Sequence, residues 1–146
     1  MKLTTVALTL GDAAGVGPEL LAKALSTTPV PERTAWVIVG DRWIWERAQI
    51  FASVTVPTTT ISRFSDAKAG LSFLELPMLK ESDVPLGKAH AHAGRAILRT
   101  LEFCLDAATA HQIQAVCFAP LNKQAMKLGG LAFDDEASHF ANYLGI

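Results

Sequence analysis

The chain has 146 residues, of which 50% are hydrophobic and 18% are charged, and its formal net charge is -1. This composition is typical of a globular protein, and the small net charge gives no overall attraction to nucleic acid or to an anionic membrane. No apolar stretch approaches the roughly 18 residues of a membrane span. Two cysteines are too few for a disulfide scaffold, so we expect a cytoplasmic location and buried, inert thiols at Cys104 and Cys117.

The first half of the chain alternates apolar, β-prone runs with segments of helical spacing. In chain order, the pattern predicts a strand at 4–10, a glycine-rich loop at 11–17, a helix at 19–25, a strand at 35–41 and a helix at 42–51. Pro18 suits the first turn of the first helix, where its missing N–H costs nothing.

The second half continues the alternation. It predicts an edge strand or irregular segment at 53–64 around Pro57, a strand at 71–76, a long helix at about 88–111, a strand at 114–119, a short helix before Gly129 and a further helix starting near Asp135. Strands that alternate with helices favour an α/β layered fold, with a largely parallel sheet flanked by helices.

The stretch TLGDAAGVGPE, residues 9–19, lies where a parallel sheet binds ligands, between the end of a strand and a helix N-terminus. Its amides and the helix dipole suit an anionic group. Its glycines match neither the dinucleotide pattern nor the phosphate-binding P-loop, which leaves a structural turn and a ligand loop equally open. Asp12 and Glu19 favour a ligand loop, because their carboxylates suit ribose hydroxyls or a cation.

The stretch APLNKQAMKLGG has the same position after a predicted buried strand, with Asn122 and Lys123 at its mouth. A lysine there is more often a solvated surface charge than a site residue.

The histidines do not form a metal site in the sequence. His90 and His92 are two residues apart and on a helix would point in different directions, which disfavours a shared ion. We expect His139 to be exposed without a partner, and His111 to follow the long helix, where a cation suits the C-terminus.

Three stretches together resemble the 4-hydroxythreonine-4-phosphate dehydrogenase family. TLGDAAGVGPE is similar to its opening motif, Gly-Asp-Pro-Ala-Gly-(Ile/Val)-Gly-Pro-Glu, with Ala13 in place of the proline. GKAHAHAGRAILRTLEFCLDAA looks like the approach to its long helix, and AVCFAPLNKQAMKLGG resembles its Thr-Ala-Pro-(Ile/Leu)-Asn-Lys signature. The three occur in the family's order.

The resemblance implies a fold like the isocitrate and isopropylmalate dehydrogenases, with two α/β domains, a homodimer and a site in the cleft between domains. It implies oxidation of a secondary alcohol on a small-molecule substrate with NAD or NADP and a divalent metal ion, and decarboxylation of the keto product. The residues it assigns to the cofactor site are Gly11, Asp12, Gly15, Gly17 and Glu19. It assigns Asn122 and Lys123 to the substrate and no residue of this chain to catalysis or to the metal.

Two departures from the family change these expectations. The family's Gly-His-Thr-Glu motif aligns its histidine with Glu136 and its threonine with Ala137, which suggests another substrate, such as a sugar-acid phosphate or a cyclic diol acid. The family's proteins are also more than twice as long, and their metal-binding histidines lie downstream. We therefore interpret residues 1–146 as an N-terminal portion of a two-domain enzyme that is inactive alone. The alternatives are a non-catalytic binding or assembly module and an acyltransferase of related architecture.

Overall fold

The computed structural model describes residues 2–146 and contains ten main elements. In chain order they are β1 (Thr4–Thr9), α1 (Gly17–Thr27), β2 (Thr34–Gly40), α2 (Arg42–Ala52), β3 (Thr59–Ile61), β4 (Gly70–Glu75), α3 (Ala91–Thr109), β5 (Ala115–Phe118), α4 (Lys123–Leu128) and α5 (Glu136–Leu144). Short 3-10 turns lie at Phe64–Asp66 and Glu81–Asp83. The predicted order of strands and helices is confirmed. The largest difference is at the edge strand, which is predicted within 53–64 and is observed only at Thr59–Ile61. The helix α3 begins three residues late because His90 is extended and caps it.

The strands form one parallel sheet in the order β3-β4-β2-β1-β5. The α/β layered fold with a parallel sheet is therefore confirmed. The chain moves from β1 to β2 in one direction and later returns past β1 to reach β5 on its other side. Because such crossovers are right-handed, opposite directions place their helices on opposite faces of the sheet.

The two faces of the sheet bury different side chains. On one face, Leu8, Ile38 and Phe73 pack with Trp45 and Ala48 of α2. On the other face, the alternating strand residues pack against α3; these residues include Ala7, Val37, Val39 and Leu74, with Cys104 and Ala107 from the helix. This alternation is the two-residue period of a strand, and it makes the central strands apolar throughout.

The two edges of the sheet differ in character. β3 is a three-residue, threonine-rich strand that follows Pro57, which confirms the predicted edge strand. At the other edge, β5 pairs only with β1 among the described residues, and it is not the buried strand that its apolar sequence suggested. The expectation for Cys117 is therefore wrong: this thiol is exposed, whereas Cys104 is buried, and burial raises its pKa to about 12.

The helix pair α3 and α4 crosses at very short range. A Cβ added at Gly94 of α3 would lie 1.7 Å from the carbonyl oxygen of Ala125 in α4, so only glycine fits there. Residue 129, at the end of α4, is likewise a glycine packed on the backbone of Arg95. This contact fixes α4, and with it the loop that follows β5. In residues 2–146, no helix has both the length and the apolarity to cross a membrane.

Candidate functional site

Two loops meet at the carboxyl ends of β1 and β5. The first, residues 10–16, is here called the glycine loop, and the second, residues 119–122, is called the APLN loop. The Asp12 N–H donates to the Pro120 carbonyl at 3.1 Å, and the Ala119 N–H donates to the Thr9 carbonyl at 3.2 Å. Because the chain leaves β1 over one face and reaches β5 over the other, this is the switch point of the sheet, where α/β proteins bind ligands.

Asp12 and Asn122 are brought together from 110 residues apart. The Asn122 side-chain amide donates to Oδ2 of Asp12 at 3.3 Å, and Oδ1 of Asp12 accepts the Ala14 N–H at 3.0 Å. Asn122 also caps α4, since its Oδ1 accepts the Ala125 N–H at 2.9 Å. The Asp12 side chain is buried, so both of its carboxylate oxygens are used inside the protein to fix the two loops.

Gly11 in the glycine loop and Gly17 at the start of α1 allow the APLN loop to approach, and Gly15 leaves room for the Asp12 side chain. Gly11 has φ +74°, and a Cβ there would lie 2.5 Å from the carbonyl oxygen of Pro120. A Cβ at Gly17 would lie 2.8 Å from the carbonyl oxygen of Leu10, and one at Gly15 would lie 3.0 Å from Oδ2 of Asp12. Packing alone therefore accounts for all three glycines.

Two contacts that sequence reasoning missed hold the glycine loop from outside. Nη2 of Arg47 donates to the Ala13 carbonyl at 2.7 Å, and the Gly87 N–H donates to the Ala14 carbonyl at 2.8 Å. The Arg47 guanidinium also lies 4.9 Å from the ring centre of Trp43, which orients it. No local pattern could reveal these partners, because both lie more than 30 residues away in the chain.

Asp41 holds the segment that follows β4 by accepting two backbone hydrogen bonds from it. It is buried at the end of β2, and its Oδ1 accepts the N–H groups of Met78 at 2.9 Å and Leu79 at 3.2 Å. Burial raises the pKa of Asp41, these two hydrogen bonds lower it, and the nearby Glu75 carboxylate raises it further; the net shift is upward. An aspartate directly after a buried strand is a signal that the sequence offered and the prediction did not use.

The remaining predicted site residues lie around the mouth of the APLN loop and on α1. Lys123 is exposed at the start of α4. The pKa of Asp135 is lowered mainly by hydrogen bonds from Ser138, and in part by the charge of Lys123, so these charges are close to each other. Glu136 is half-buried next to Asp135, and among the described residues its Oε2 has no hydrogen-bond partner. The contacts of these residues with a substrate stay a prediction.

The predicted Ala137 is exposed on α5, and Glu19 is half-buried in the first turn of α1. Within residues 2–146, no side chain caps the N-terminus of α1 at Val16. Pro18 has no N–H and the Leu20 N–H donates to the Val16 carbonyl at 3.0 Å, so the Gly17 and Glu19 N–H groups are the ones beside the switch point without a side-chain acceptor.

The histidines lie at the ends of α3 or in the contact between α3 and α5. The expectation of an exposed, unpartnered His139 is wrong: its side chain is only 14% exposed, and its Nε2 lies 3.2 Å from Oε1 of Glu102, because α5 packs on α3. His90 accepts the His92 N–H at 3.2 Å as the cap of α3, and His111 is exposed beyond the end of α3. Among the described residues, no group of three or more His, Cys, Asp or Glu is placed to hold a metal ion.

Curated proteins similar to this chain are named as dehydrogenases of phosphorylated substrates. A Pasteurella multocida protein named "Putative 4-hydroxythreonine-4-phosphate dehydrogenase" is 39% identical over 97% of this chain and 43% of its own length. An Oceanobacillus iheyensis protein named "Putative D-threonate 4-phosphate dehydrogenase" is 34% identical over 88% of this chain and 40% of its own. The chain therefore spans less than half the length of these curated relatives.

The fold has a solved counterpart. The crystal structure of a 4-hydroxythreonine-4-phosphate dehydrogenase from Burkholderia phymatum superimposes with a TM-score of 0.87 at 30% identity, over 100% of this chain and 45% of that one. The family model for the pyridoxal phosphate biosynthetic protein PdxA matches residues 32–146, which is most of the chain. The chain belongs to the PdxA family.

Proposed function

We propose that residues 1–146 form the N-terminal portion of a two-domain, NAD(P)-dependent dehydrogenase. Its substrate is a phosphorylated hydroxy acid like 4-hydroxythreonine 4-phosphate, whose secondary alcohol is oxidised and whose keto product loses carbon dioxide. The observation that carries this proposal is the meeting of the glycine loop and the APLN loop at the switch point, fixed by the Asp12–Asn122 hydrogen bond. Membership of the PdxA family supports the reaction class.

The cofactor site is proposed at the glycine loop and the start of α1. The uncapped Gly17 and Glu19 N–H groups of α1 suit the pyrophosphate of NAD or NADP, and the Glu19 carboxylate suits a ribose hydroxyl. Gly11, Gly15 and Gly17 shape this site indirectly, since their space is filled by the protein's own atoms. A nicotinamide bound there would supply the hydride acceptor.

The substrate site is proposed at Asn122, Lys123, Glu136 and Ala137. The exposed ammonium of Lys123 suits a phosphate or carboxylate of the substrate. A phosphate beside Glu136 would meet a like charge, so we place a hydroxyl or an ammonium group there instead. The function of Asn122 is to hold the loop that presents these groups, because its amide contacts both Asp12 and α4.

The proposal includes a divalent metal ion, but its ligands are expected from outside residues 1–146. Residues 2–146 present no cluster that fits a metal ion, so no chemical step is assigned to a metal here. The proposal also includes a cytoplasmic homodimer, as the family resemblance implies.

Activity is tested on a fusion protein in which residues 1–146 are followed by the part of the Pasteurella multocida relative that lies beyond the match. We expect formation of reduced nicotinamide from NAD or NADP with 4-hydroxythreonine 4-phosphate or D-threonate 4-phosphate, and loss of activity with a chelator. We expect no activity from the 146-residue chain alone. A folded fusion protein with no activity on either phosphate would refute the proposal.

The substrate role of Lys123 is tested by Lys123→Ala in the fusion protein. Loss of a hydrogen bond to a charged group costs about 1.5–3 kcal/mol, which corresponds to a rise in KM of about 10- to 160-fold. Lys127→Ala is the matched control, because Lys127 is exposed on the same helix. Equal kinetic effects of the two variants would contradict the assignment.

A D-threonate 4-phosphate-like substrate is the second candidate, favoured by the Oceanobacillus iheyensis relative. Glu136 and Ala137 stand in the family's histidine and threonine positions, so these two side chains are the ones to exchange. The double variant Glu136→His with Ala137→Thr is expected to raise kcat/KM for 4-hydroxythreonine 4-phosphate relative to D-threonate 4-phosphate. An unchanged ratio would show that these positions do not select the substrate. A cyclic diol acid completes the set of substrates to be compared.

A further inference from the structure

A groove runs along the outer face of α3 and is not used by the proposed function. It has a volume of about 750 Å³ and is lined by α3, by the segment 76–83 and by Tyr143 near the end of α5. The lining residues of α3 recur every three or four positions from His92 to Asp106, so they form one face of the helix. The volume is in the range of pockets that bind small molecules.

The wall formed by the segment 76–83 is fixed by hydrogen bonds. The Met78 and Leu79 N–H groups donate to Asp41, and Nε1 of Trp43 donates to the Leu79 carbonyl at 2.8 Å. Oγ1 of Thr100 lies 3.7 Å from Sδ of Met78, which joins this wall to α3. The groove is therefore formed before any ligand binds, and ordering it costs little binding free energy.

Two arginines in the groove have no partner in the described part of the chain. Arg95 and Arg99 lie on consecutive turns of α3, and both side chains are exposed. No hydrogen bond or ion pair joins either guanidinium group to another side chain or to the backbone of residues 2–146. Arg42, Arg47 and Arg63, by contrast, each donate a hydrogen bond to the protein. Because side chains four residues apart are neighbours on a helix, the two guanidinium groups form one cationic end of the groove.

Two carboxylates on the same face of α3 are held by α5. Oε1 of Glu102 lies 3.2 Å from Nε2 of His139, and the Tyr143 hydroxyl lies 3.0 Å from both carboxylate oxygens of Asp106. Asp106 is seven residues beyond Arg99, which is about 10 Å along the helix axis. The groove therefore has unpaired positive charge at one end, and at the other end its negative charge is engaged by α5.

The groove also has an apolar surface. Leu76, Met78, Ala96 and Phe103 contribute to its lining. The Phe103 ring packs against the Phe64 ring, with 5.7 Å between the ring centres, so its position is fixed. Phe103 is one turn from the second arginine. An apolar group can therefore lie on this ring while an anionic group of the same molecule reaches the cationic end.

We propose that this groove binds a phosphate monoester with an apolar body, its phosphate between Arg95 and Arg99 and its body against Phe103 and Met78. A guanidinium group matches two phosphate oxygens, and a phosphate monoester carries a charge of about −1.5 to −2 at pH 7, which matches two arginines. Asp83 is the remaining carboxylate of the lining and repels a phosphate, so removing its charge strengthens binding. The site goes beyond the proposed function, whose phosphorylated hydroxy acids lack an apolar body.

Phenyl phosphate is the probe for this site. We expect it to shift the amide NMR signals of Arg95, Ala96 and Arg99 in the 146-residue chain. We also expect it to bind about 10-fold more tightly than inorganic phosphate or benzyl alcohol, because each of these supplies only one of the two contacts. Inorganic phosphate tests the cationic end alone, and benzyl alcohol tests the apolar surface alone.

Substitutions separate the charges from the apolar surface. Arg99→Gln removes a charged donor and is expected to weaken phenyl phosphate binding by about 10-fold or more, whereas Arg99→Lys keeps the charge and should retain part of the affinity. Lys23→Gln, at an exposed position of α1, is the matched control for net charge. Asp83→Asn is expected to tighten binding by about 3-fold. Met78→Ala is expected to weaken the binding of phenyl phosphate but not of inorganic phosphate.

Several results would overturn the proposal. One is an absence of shifts in α3 at about 10 mM phenyl phosphate, and another is equal binding by the Arg99→Gln and Lys23→Gln variants. Binding of inorganic phosphate as tight as that of phenyl phosphate reduces the groove to a simple anion contact and also overturns it. Binding by the 146-residue chain that is absent from the folded fusion protein assigns the groove to contacts with the rest of the enzyme, which overturns it too. The titration needs no turnover, so it can fail while the proposed function stands.

Discussion

The close crossing of α3 and α4 gives a sharp prediction at Gly94. In Gly94→Ala, the new Cβ would lie 1.7 Å from the Ala125 carbonyl oxygen, half of an ordinary 3.4 Å contact. The atoms it meets are the backbone of α4, which cannot rotate away as a side chain can. The two helices must therefore separate, and the packing of Met126 and Leu98 between them is disturbed.

The sign of the effect is decided by two opposing free energies. In an exposed helix interior, replacing glycine by alanine stabilises the protein by about 1 kcal/mol. Overpacking a buried contact costs about 1–3 kcal/mol and sometimes more, and a clash with backbone lies at the upper end or above it. We expect a net loss of about 2 kcal/mol in the free energy of unfolding, or about 4–8 °C in Tm for a protein of this size.

Urea denaturation followed by circular dichroism measures this loss. Ala24→Gly, at an exposed position of α1, measures the difference in helix propensity between alanine and glycine without a packing change. It is expected to lower the free energy of unfolding by about 1 kcal/mol. Gly129→Ala probes the same contact from α4, where its Cβ would lie 2.3 Å from the Arg95 nitrogen. A Gly94→Ala protein as stable as the parent, beside a destabilised Ala24→Gly protein, would refute the steric argument.

Two further predictions concern buried polar contacts. The raised pKa of Asp41 means that the folded state holds its proton more strongly, so its contribution to stability is present below the ordinary value of 3.8 and is lost as pH rises through the folded pKa. Asp41→Asn keeps an Oδ1 acceptor but has no proton to lose. In urea denaturation at a series of pH values, the free energy of unfolding of the variant should therefore rise relative to that of the parent as pH rises. A difference in this free energy that is the same at every pH would contradict the reasoning. His139→Ala removes the contact with Glu102 and should cost about 1 kcal/mol and speed amide exchange in α5. His111→Ala, at an exposed site, is the control, and equal exchange in both variants would exclude a role of His139 in packing α5.

The sequence predicted most of the elements because their signals are local. The apolar periodicity of a strand or a helix is a pattern of residues close together in the chain. Pro18 marks a helix start and Pro57 precedes an edge strand, as predicted. The position of both candidate loops, each after a parallel strand and before a helix, also follows from local order. The sequence therefore led to the α/β fold and to the region of the candidate site.

The partners of the site residues were decided by tertiary structure. The Asp12–Asn122 hydrogen bond joins residues 110 apart, and the Arg47 guanidinium reaches the glycine loop from α2. His139 was expected to be exposed, but the docking of α5 on α3 buries it. Such contacts depend on how elements pack, and no spacing within one element encodes them.

The sequence by itself determined which segments become strands, helices and loops, since these follow from local periodicity and from proline and glycine geometry. Only the tertiary structure decided that β5 lies at an edge with Cys117 exposed, and that Gly11 and Gly17 serve the approach of the APLN loop. The physical reason is that the burial of a residue is determined by its neighbours in space. An apolar strand such as β5 has the same sequence whether one strand pairs with it or two.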